Sequence, residues 1–156
     1  MTTPHETAVK QPQVGEPAPK FTLEAFPSGT VSLDEYHGKK NVVLAFYPKD
    51  DTPGCTKEMC AFSDDHTKFE DANTVVFGIS TDNVDSHSKF AGKYNLKQTL
   101  LADHNHEVAR KYGVLAEGKS TANRKLFIID KQGVIKHVHD GMPDNSTLLD
   151  LVKNLK

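Results

Sequence analysis

The sequence contains no tryptophan, only two cysteines among 156 residues, and no long run of apolar residues. Two cysteines are too few for the disulfide framework of a small secreted domain. The apolar runs fall far short of the roughly 20 residues that a membrane-spanning helix needs. The start of the chain lacks the basic region and apolar segment of a secretory signal, so we expect a cytoplasmic protein.

The sequence also has no large excess of positive or negative charge. The 19 basic and 21 acidic residues leave a formal net charge of −2, and the two signs are interspersed along the chain. No basic stripe indicates nucleic-acid binding, and no basic amphipathic helix indicates binding to a membrane surface. Phosphate-loop and dinucleotide-binding glycine patterns are also missing.

The pattern of apolar residues predicts one α/β domain over residues 15–156, preceded by a disordered tail at residues 1–14. Strand and helix patterns alternate through the middle of the chain, which requires parallel crossovers, and a hairpin near the end requires antiparallel pairing. We therefore predict a mixed central sheet with helices on both faces and an N-terminal β-hairpin. The predicted strands are 21–26, 30–33, 41–46, 74–80, 99–103, 124–130 and 134–139, and the main helices are 53–71, 85–94, 107–112 and 146–155.

Residues 47–60 connect a predicted buried strand to a predicted amphipathic helix. Thr52 followed by Pro53 is a helix-start pattern, with threonine as the N-cap and proline at the first helical position. Gly54 and Cys55 then occupy the first turn, where backbone N–H groups have no partner within the helix. The positive end of the helix dipole would stabilise a thiolate at Cys55.

The second cysteine, Cys60, follows five residues later. At about 100° per residue it lies roughly 140° around the helix from Cys55, on the polar side with Lys57 and Asp64. This asymmetry suggests a nucleophile and a second thiol that reacts with it. The alternatives are a small buried side chain at Cys55 and an inert surface thiol at Cys60.

A zinc site is a competing interpretation of the two cysteines. Structural zinc usually takes two tightly spaced ligand pairs, and no second Cys/His pair of that kind occurs. His104 and His106, like His137 and His139, are two residues apart and share one face if they lie on a strand. Such pairs can bind metal, but we expect these histidines to be solvated and predict no metal site.

The spacing Pro48-x-x-x-Thr52-x-x-Cys55 resembles the active-site signature of the peroxiredoxins. Residues 15–23 and Arg124, which opens a predicted strand, also resemble that family. The second cysteine five residues on is similar to the bacterioferritin-comigratory-protein, or peroxiredoxin Q, subfamily. The resemblance covers residues from about 14 to the C-terminus and implies a thioredoxin-like fold. The C-terminal cysteine that other members use across a dimer interface is absent, which leaves Cys60 as the candidate resolving thiol.

The resemblance implies a thiol-dependent peroxidase that reduces hydrogen peroxide and organic hydroperoxides. Cys55 would become a sulfenic acid, and Cys60 would condense with it to an intramolecular disulfide. The implied partners are a hydroperoxide and a thioredoxin or glutaredoxin-like reductant; no metal, flavin or haem is implied, and a monomer is expected. The implied peroxide-binding groups are Thr52, Gly54, Cys55 and Arg124, with Pro48 shielding the pocket from water.

Two other functions are compatible with the residues. A thiol–disulfide oxidoreductase could use the same fold, although the usual Cys-x-x-Cys spacing is missing. A redox-sensing interaction module would change its partner binding on oxidation without turnover by a reductant. A peroxide-consumption assay separates these functions from a peroxidase.

Overall fold

The computed structural model describes residues 11–115 and 118–155. Residues 1–10 of the predicted tail lie outside the described residues. The structure does describe the last four residues of the predicted tail, 11–14, and among them Pro12 is buried. The Gln11 backbone lies close to Gly113, where an added Cβ would meet it at 2.7 Å. The next residue, Gly15, donates its backbone N–H to the carbonyl of Ile135 at 2.8 Å.

Seven strands and five α-helices make up the described part of the chain, together with a short 3₁₀ helix at Leu33–Tyr36. The strands are β1 (Thr22–Phe26), β2 (Thr30–Ser32), β3 (Asn41–Phe46), β4 (Thr74–Ser80), β5 (Thr99–Ala102), β6 (Lys125–Ile129) and β7 (Ile135–Asp140). The helices are α1 (Pro53–Asp64), α2 (His66–Asp71), α3 (Val84–Tyr94), α4 (Glu107–Lys111) and α5 (Asn145–Lys153).

The strands form one sheet in the order β2-β1-β5-β4-β3-β6-β7. β3 pairs in parallel with β4, and β4 in parallel with β5. The N-terminal hairpin β1–β2 joins the sheet through an antiparallel pairing of β1 with β5. On the other side, β6 is antiparallel to both β3 and β7. The predicted mixed sheet with an N-terminal hairpin is confirmed.

β3 lies at the centre and is buried along its whole length. Val42, Leu44 and Phe46 face one apolar core, which they share with the 3₁₀ helix and α4. Val43 and Ala45 face a second core, which contains apolar side chains of α1, α2, α3 and α5. A strand covered on both faces needs apolar residues at every position, which explains why the sequence of β3 shows no polar alternation. Helices therefore cover both faces, as predicted.

The predicted helix 53–71 is wrong as a single element. α1 ends at Asp64, and α2 begins at His66 after Asp65, whose backbone (φ −97°, ψ 9°) is not helical. The Asp65 side chain instead accepts a hydrogen bond from Asn145 Nδ2 at 3.0 Å, a contact distant in sequence. Aspartate competes well for such non-helical arrangements because its short carboxylate bonds readily to nearby donors.

The start of α3 also differs from the prediction. The helix begins at Val84 and not at residue 85, and its N-cap is Asn83, whose Oδ1 accepts from the Ser86 backbone N–H at 2.9 Å. Across the described ranges, 11–115 and 118–155, no helix has both the length and the apolar character needed to cross a bilayer.

Candidate active site

The C-terminal end of β3 leads directly into the site. After Phe46 the chain turns through residues 47–51, and Thr52 takes the N-cap position of α1 with an extended backbone. The first helical bond runs from the Thr56 N–H to the Thr52 carbonyl at 2.8 Å. The N–H groups of Gly54 and Cys55 precede this bond and point out of the first turn, as predicted from the sequence.

The Thr52 hydroxyl does not cap the helix. It donates to the Lys49 carbonyl at 3.0 Å, within the loop that precedes α1. A hydroxyl has one proton and two acceptor lone pairs, so this bond leaves Thr52 Oγ1 free to accept from a substrate. Pro48 lies half-buried in the same loop, directly after Tyr47.

Arg124 reaches Cys55 from a neighbouring strand. Phe46 pairs with Lys125 across β3 and β6, so the residue before β6 lies beside the start of α1. Arg124 Nη2 lies 3.4 Å from the Cys55 sulfur, and Cys55 is only 1% exposed. The positive charge of the guanidinium therefore lies against the sulfur at the N-terminus of α1, the positive end of the helix dipole. The fold thus brings together the two side chains that the sequence singled out.

Gly54 is required by this contact. A Cβ added at position 54 would lie 2.9 Å from Arg124 Nη2, closer than a carbon atom normally approaches. Alanine at this position would push the guanidinium away from the Cys55 sulfur. The glycine therefore permits the close approach of Arg124 to the first turn of α1.

Glu58, one turn after Cys55 on α1, is a site residue that was not predicted from the sequence. Its Oε1 accepts from Arg124 Nη1 at 2.6 Å, and its side chain is 1% exposed. Burial raises the pKa of Glu58 to about 7, against the opposing effect of the hydrogen bond and charge of Arg124. The spacing of three residues from Cys55 was the available signal, since it places a carboxylate on the inner side of the helix.

The same guanidinium therefore contacts a sulfur and a carboxylate at once. Hydrogen bonds to Glu58 and Cys55 raise the pKa of Arg124 against the lowering effect of burial, so the group stays cationic. Its planar geometry lets two different nitrogens serve two acceptors, which a lysine cannot do. Glu58 fixes the orientation of Arg124 from one side, and Cys55 receives the other nitrogen.

Cys60 occupies the second half of α1 and is partly buried. Burial and the nearby Asp64 carboxylate raise the pKa of the Cys60 thiol. Both cysteines are free. Because they are five residues apart on one helix, about 7.5 Å separates them along the helix axis.

The histidine pairs considered as metal ligands have contacts of their own. His137 and His139 stack their rings at 6.3 Å on β7, and His104 lies 3.3 Å from Glu24. Throughout the part of the chain that the structure describes, no group of three or more His, Cys, Asp and Glu residues could hold a metal ion.

Comparison with known proteins identifies the family of the chain. The AhpC/TSA family matches residues 14–138 of the chain. The bcp peroxiredoxin of Coxiella burnetii is 48% identical over 132 residues, which cover 81% of this chain and 87% of that protein. The chain belongs to the peroxiredoxins. A chloroplastic peroxiredoxin Q of Triticum aestivum is 43% identical over 127 residues, but the chain covers only 58% of that relative's length.

Solved peroxiredoxin structures have the same fold. The reduced 2-Cys peroxiredoxin of Plasmodium vivax matches with a TM-score of 0.82 at 30% identity, covering 89% of this chain and 79% of that one. The mitochondrial 2-Cys peroxiredoxin of Plasmodium falciparum matches with a TM-score of 0.83 at 30% identity, covering 90% of this chain and 92% of that one. The resemblance to the bcp and peroxiredoxin Q subfamily and the thioredoxin-like fold are confirmed. Peroxiredoxins are thiol-dependent peroxidases, so the predicted class of enzyme is confirmed at the level of the family.

Proposed function

We propose that Cys55 is the nucleophile with which this peroxiredoxin reduces hydrogen peroxide and organic hydroperoxides. The observation that carries the proposal is the contact of Arg124 with a buried sulfur at the start of α1. The thiolate attacks the nearer peroxide oxygen, a sulfur–oxygen bond forms and the oxygen–oxygen bond breaks. Cys55 becomes a sulfenic acid, and the departing oxygen takes a proton from solvent to leave as water or an alcohol.

The groups around Cys55 suit the charges of this reaction. The backbone N–H groups of Gly54 and Cys55 can donate to the peroxide, and Thr52 Oγ1 can accept from its O–H because its own proton goes to Lys49. Arg124 stabilises the negative charge that develops on the departing oxygen. Pro48, half-buried at the head of the loop, shields the pocket from water.

Cys60 is proposed to resolve the sulfenic acid. Its thiol attacks the Cys55 sulfur, water leaves and an intramolecular disulfide forms. A disulfide needs Cα atoms within about 7 Å and side chains that point together. On an intact helix these residues are about 7.5 Å apart along the axis and about 140° apart around it, so part of α1 must unfold first. A thioredoxin or glutaredoxin-like protein would then reduce the disulfide.

The test is peroxide-dependent oxidation of NADPH in the presence of thioredoxin and thioredoxin reductase. We expect turnover by the unaltered protein and none by Cys55→Ser. The matched control is Ser88→Ala, which changes an exposed residue of α3. Thioredoxin-dependent reduction of disulfides without any consumption of peroxide would favour the thiol–disulfide oxidoreductase. Oxidation by peroxide that no reductant reverses would favour the redox-sensing module.

We also propose that the protein acts as a monomer. Both thiols of the proposed cycle lie in one helix, so the cycle needs no residue of a second copy. Analytical ultracentrifugation of the reduced and the disulfide forms tests this directly. A stable dimer or larger assembly in both forms would contradict it.

A cytoplasmic location is likewise a proposal. It rests on the similarity of the chain to the bcp peroxiredoxin of Coxiella burnetii. The wheat relative is named chloroplastic, so an organelle is the competing location. Imaging of the tagged full-length protein in its host distinguishes the two.

A further inference from the structure

A buried carboxylate–histidine pair lies next to the catalytic loop. His87, on α3, is 0% exposed, and its Nδ1 lies 2.8 Å from Asp50 Oδ2. The other ring nitrogen, Nε2, lies 2.8 Å from the Leu101 carbonyl on β5. Asp50 is itself buried and belongs to the loop between β3 and α1.

The partners of the ring determine its protons. The Leu101 carbonyl can only accept, so Nε2 must carry a proton. Three contacts converge on the Asp50 carboxyl group, from Tyr47 at 2.6 Å, from Ser86 at 2.7 Å and from His87, and an ionised carboxylate can accept hydrogen bonds from all three at once. An ionised carboxylate requires a proton on Nδ1 as well. Both nitrogens then donate, and His87 is a buried cation paired with a buried anion.

The other groups that face the pair agree with this distribution of charge. Burial raises the pKa of Tyr47 well above its usual value, and the Asp50 charge adds to the effect, so Tyr47 keeps its proton to donate. Asp82 is the remaining carboxylate nearby, and its Oδ2 accepts from the Asp50 backbone N–H at 2.8 Å and from Ser80 at 2.7 Å. The His87 cation thus faces Asp50 directly, with Asp82 behind it.

Asp50 lies between two residues whose positions matter for the loop, and the carboxylate of the second, Asp51, is also held by Lys93 and Tyr94. Lys49, the residue before Asp50, supplies the carbonyl that receives the Thr52 hydroxyl proton. Asp51, the residue after it, has a left-handed backbone with φ 59°, which costs free energy in a residue other than glycine. Such a conformation persists only where its surroundings hold it. A shift of Asp50 would move Lys49 and release the Thr52 hydroxyl from its orientation.

We propose that His87, as an imidazolium paired with Asp50, is a positioning residue for peroxide reduction. It holds the loop so that Thr52 presents acceptor lone pairs to the substrate. The inference rests on the proposed function of Cys55, because it assigns His87 a role in that same reaction. His87 does not contact the Cys55 sulfur, so we expect the reactivity of the Cys55 thiol toward other reagents to be independent of His87.

The test uses the full chain with Cys60→Ser, so that only Cys55 reacts. Two second-order rate constants are measured by stopped flow, one for hydrogen peroxide and one for iodoacetamide, which does not need Thr52. We expect His87→Asn and Asp50→Asn to slow the peroxide reaction by about 10- to 100-fold and to leave alkylation unchanged. Ser88→Ala, an exposed change one residue along α3, should alter neither rate.

A second measurement needs no substitution at the pair. Long-range ¹H–¹⁵N NMR of the imidazole rings should show both His87 nitrogens protonated at pH 7.5 in the wild-type protein. One unprotonated nitrogen at pH 7.5 overturns the assignment of charge. Equal loss of both rates in the variants overturns the positioning role. A wild-type protein that alkylates but does not react with peroxide overturns the proposed function and this inference together.

Discussion

Replacing Glu58 with glutamine should remove a pH dependence from the stability of this protein. The side chain is 1% exposed, and glutamine keeps an oxygen that can accept from Arg124. Burial raises the Glu58 pKa from 4.5 to about 7, even with Arg124 alongside. The folded protein therefore binds a proton here more tightly than the unfolded chain does.

The sign and the size of the effect follow from this pKa. A raised pKa in the folded state stabilises the protein fully below pH 4.5, and this contribution is lost as pH rises to about 7. At about 1.36 kcal/mol per pH unit, the loss amounts to about 3 kcal/mol across that window. Glutamine does not titrate, so Glu58→Gln should lack this loss and become more stable relative to the wild type as pH rises.

Urea unfolding at several pH values between 4 and 8 measures the difference. The free energy of unfolding of Glu58→Gln minus that of the wild type should rise by about 3 kcal/mol over the window and stay level above pH 7. Asp71→Asn, an exposed carboxyl at the end of α2, is the control and should show no such rise. A difference that is constant between pH 4.5 and 7 would refute the reasoning that burial dominates the Glu58 environment.

Three further predictions concern the catalytic cycle. Arg124→Lys should slow peroxide reduction by about 100-fold in stopped flow with little change in urea stability, because lysine cannot serve Cys55 and Glu58 together; an unaffected rate would leave Arg124 a merely structural charge. Cys60→Ser should keep one round of peroxide reduction and lose thioredoxin-driven turnover, whereas Cys55→Ser should lose both; full turnover without Cys60 would mean that another thiol resolves the sulfenic acid. Amide hydrogen exchange should show residues 56–58, the first in α1 whose N–H groups have a helical partner, losing protection in the disulfide form, and equal protection in both redox states would contradict local unfolding.

Much of the site could be predicted because its signals are local in sequence. Thr52-Pro53 marks a helix start, and the positions of Gly54 and Cys55 follow by counting from it. Arg124 was recognised from its place before an apolar strand and from family resemblance. The pairing of β3 with β6 then accounts physically for its proximity to Cys55.

The features that the sequence did not reveal depend on contacts distant in the chain. The spacing of Glu58 from Cys55 indicates the inner side of the helix, but its partner Arg124 lies 66 positions away in the sequence. The break at Asp65 depends on Asn145, 80 positions away. Asp50 and His87 are 37 positions apart and show no shared pattern in the sequence. In each case tertiary structure decides whether a polar side chain is buried, and a local pattern does not contain that information.

The contacts of α1 also indicate where its unfolding stops. Beyond the first turns, Gln98 Nε2 donates to the Met59 carbonyl at 3.0 Å, and Ser63 Oγ accepts from the Lys97 backbone N–H at 3.0 Å. These bonds hold the second half of the helix to the segment after α3, whereas the first half is held by the contact of Arg124 with Glu58.

Opening the first half breaks a few backbone hydrogen bonds, each contributing about 1 kcal/mol net, and exposes Glu58. Above pH 7 that exposure lets an ionised carboxylate return to water, which recovers up to about 3 kcal/mol of the opening cost. In the proposed cycle, Glu58 would therefore orient Arg124 while α1 is folded and lower the free energy needed to unfold the helix for Cys60 to reach Cys55. The two proposed steps make opposite demands on α1, and this buried carboxylate would contribute to both.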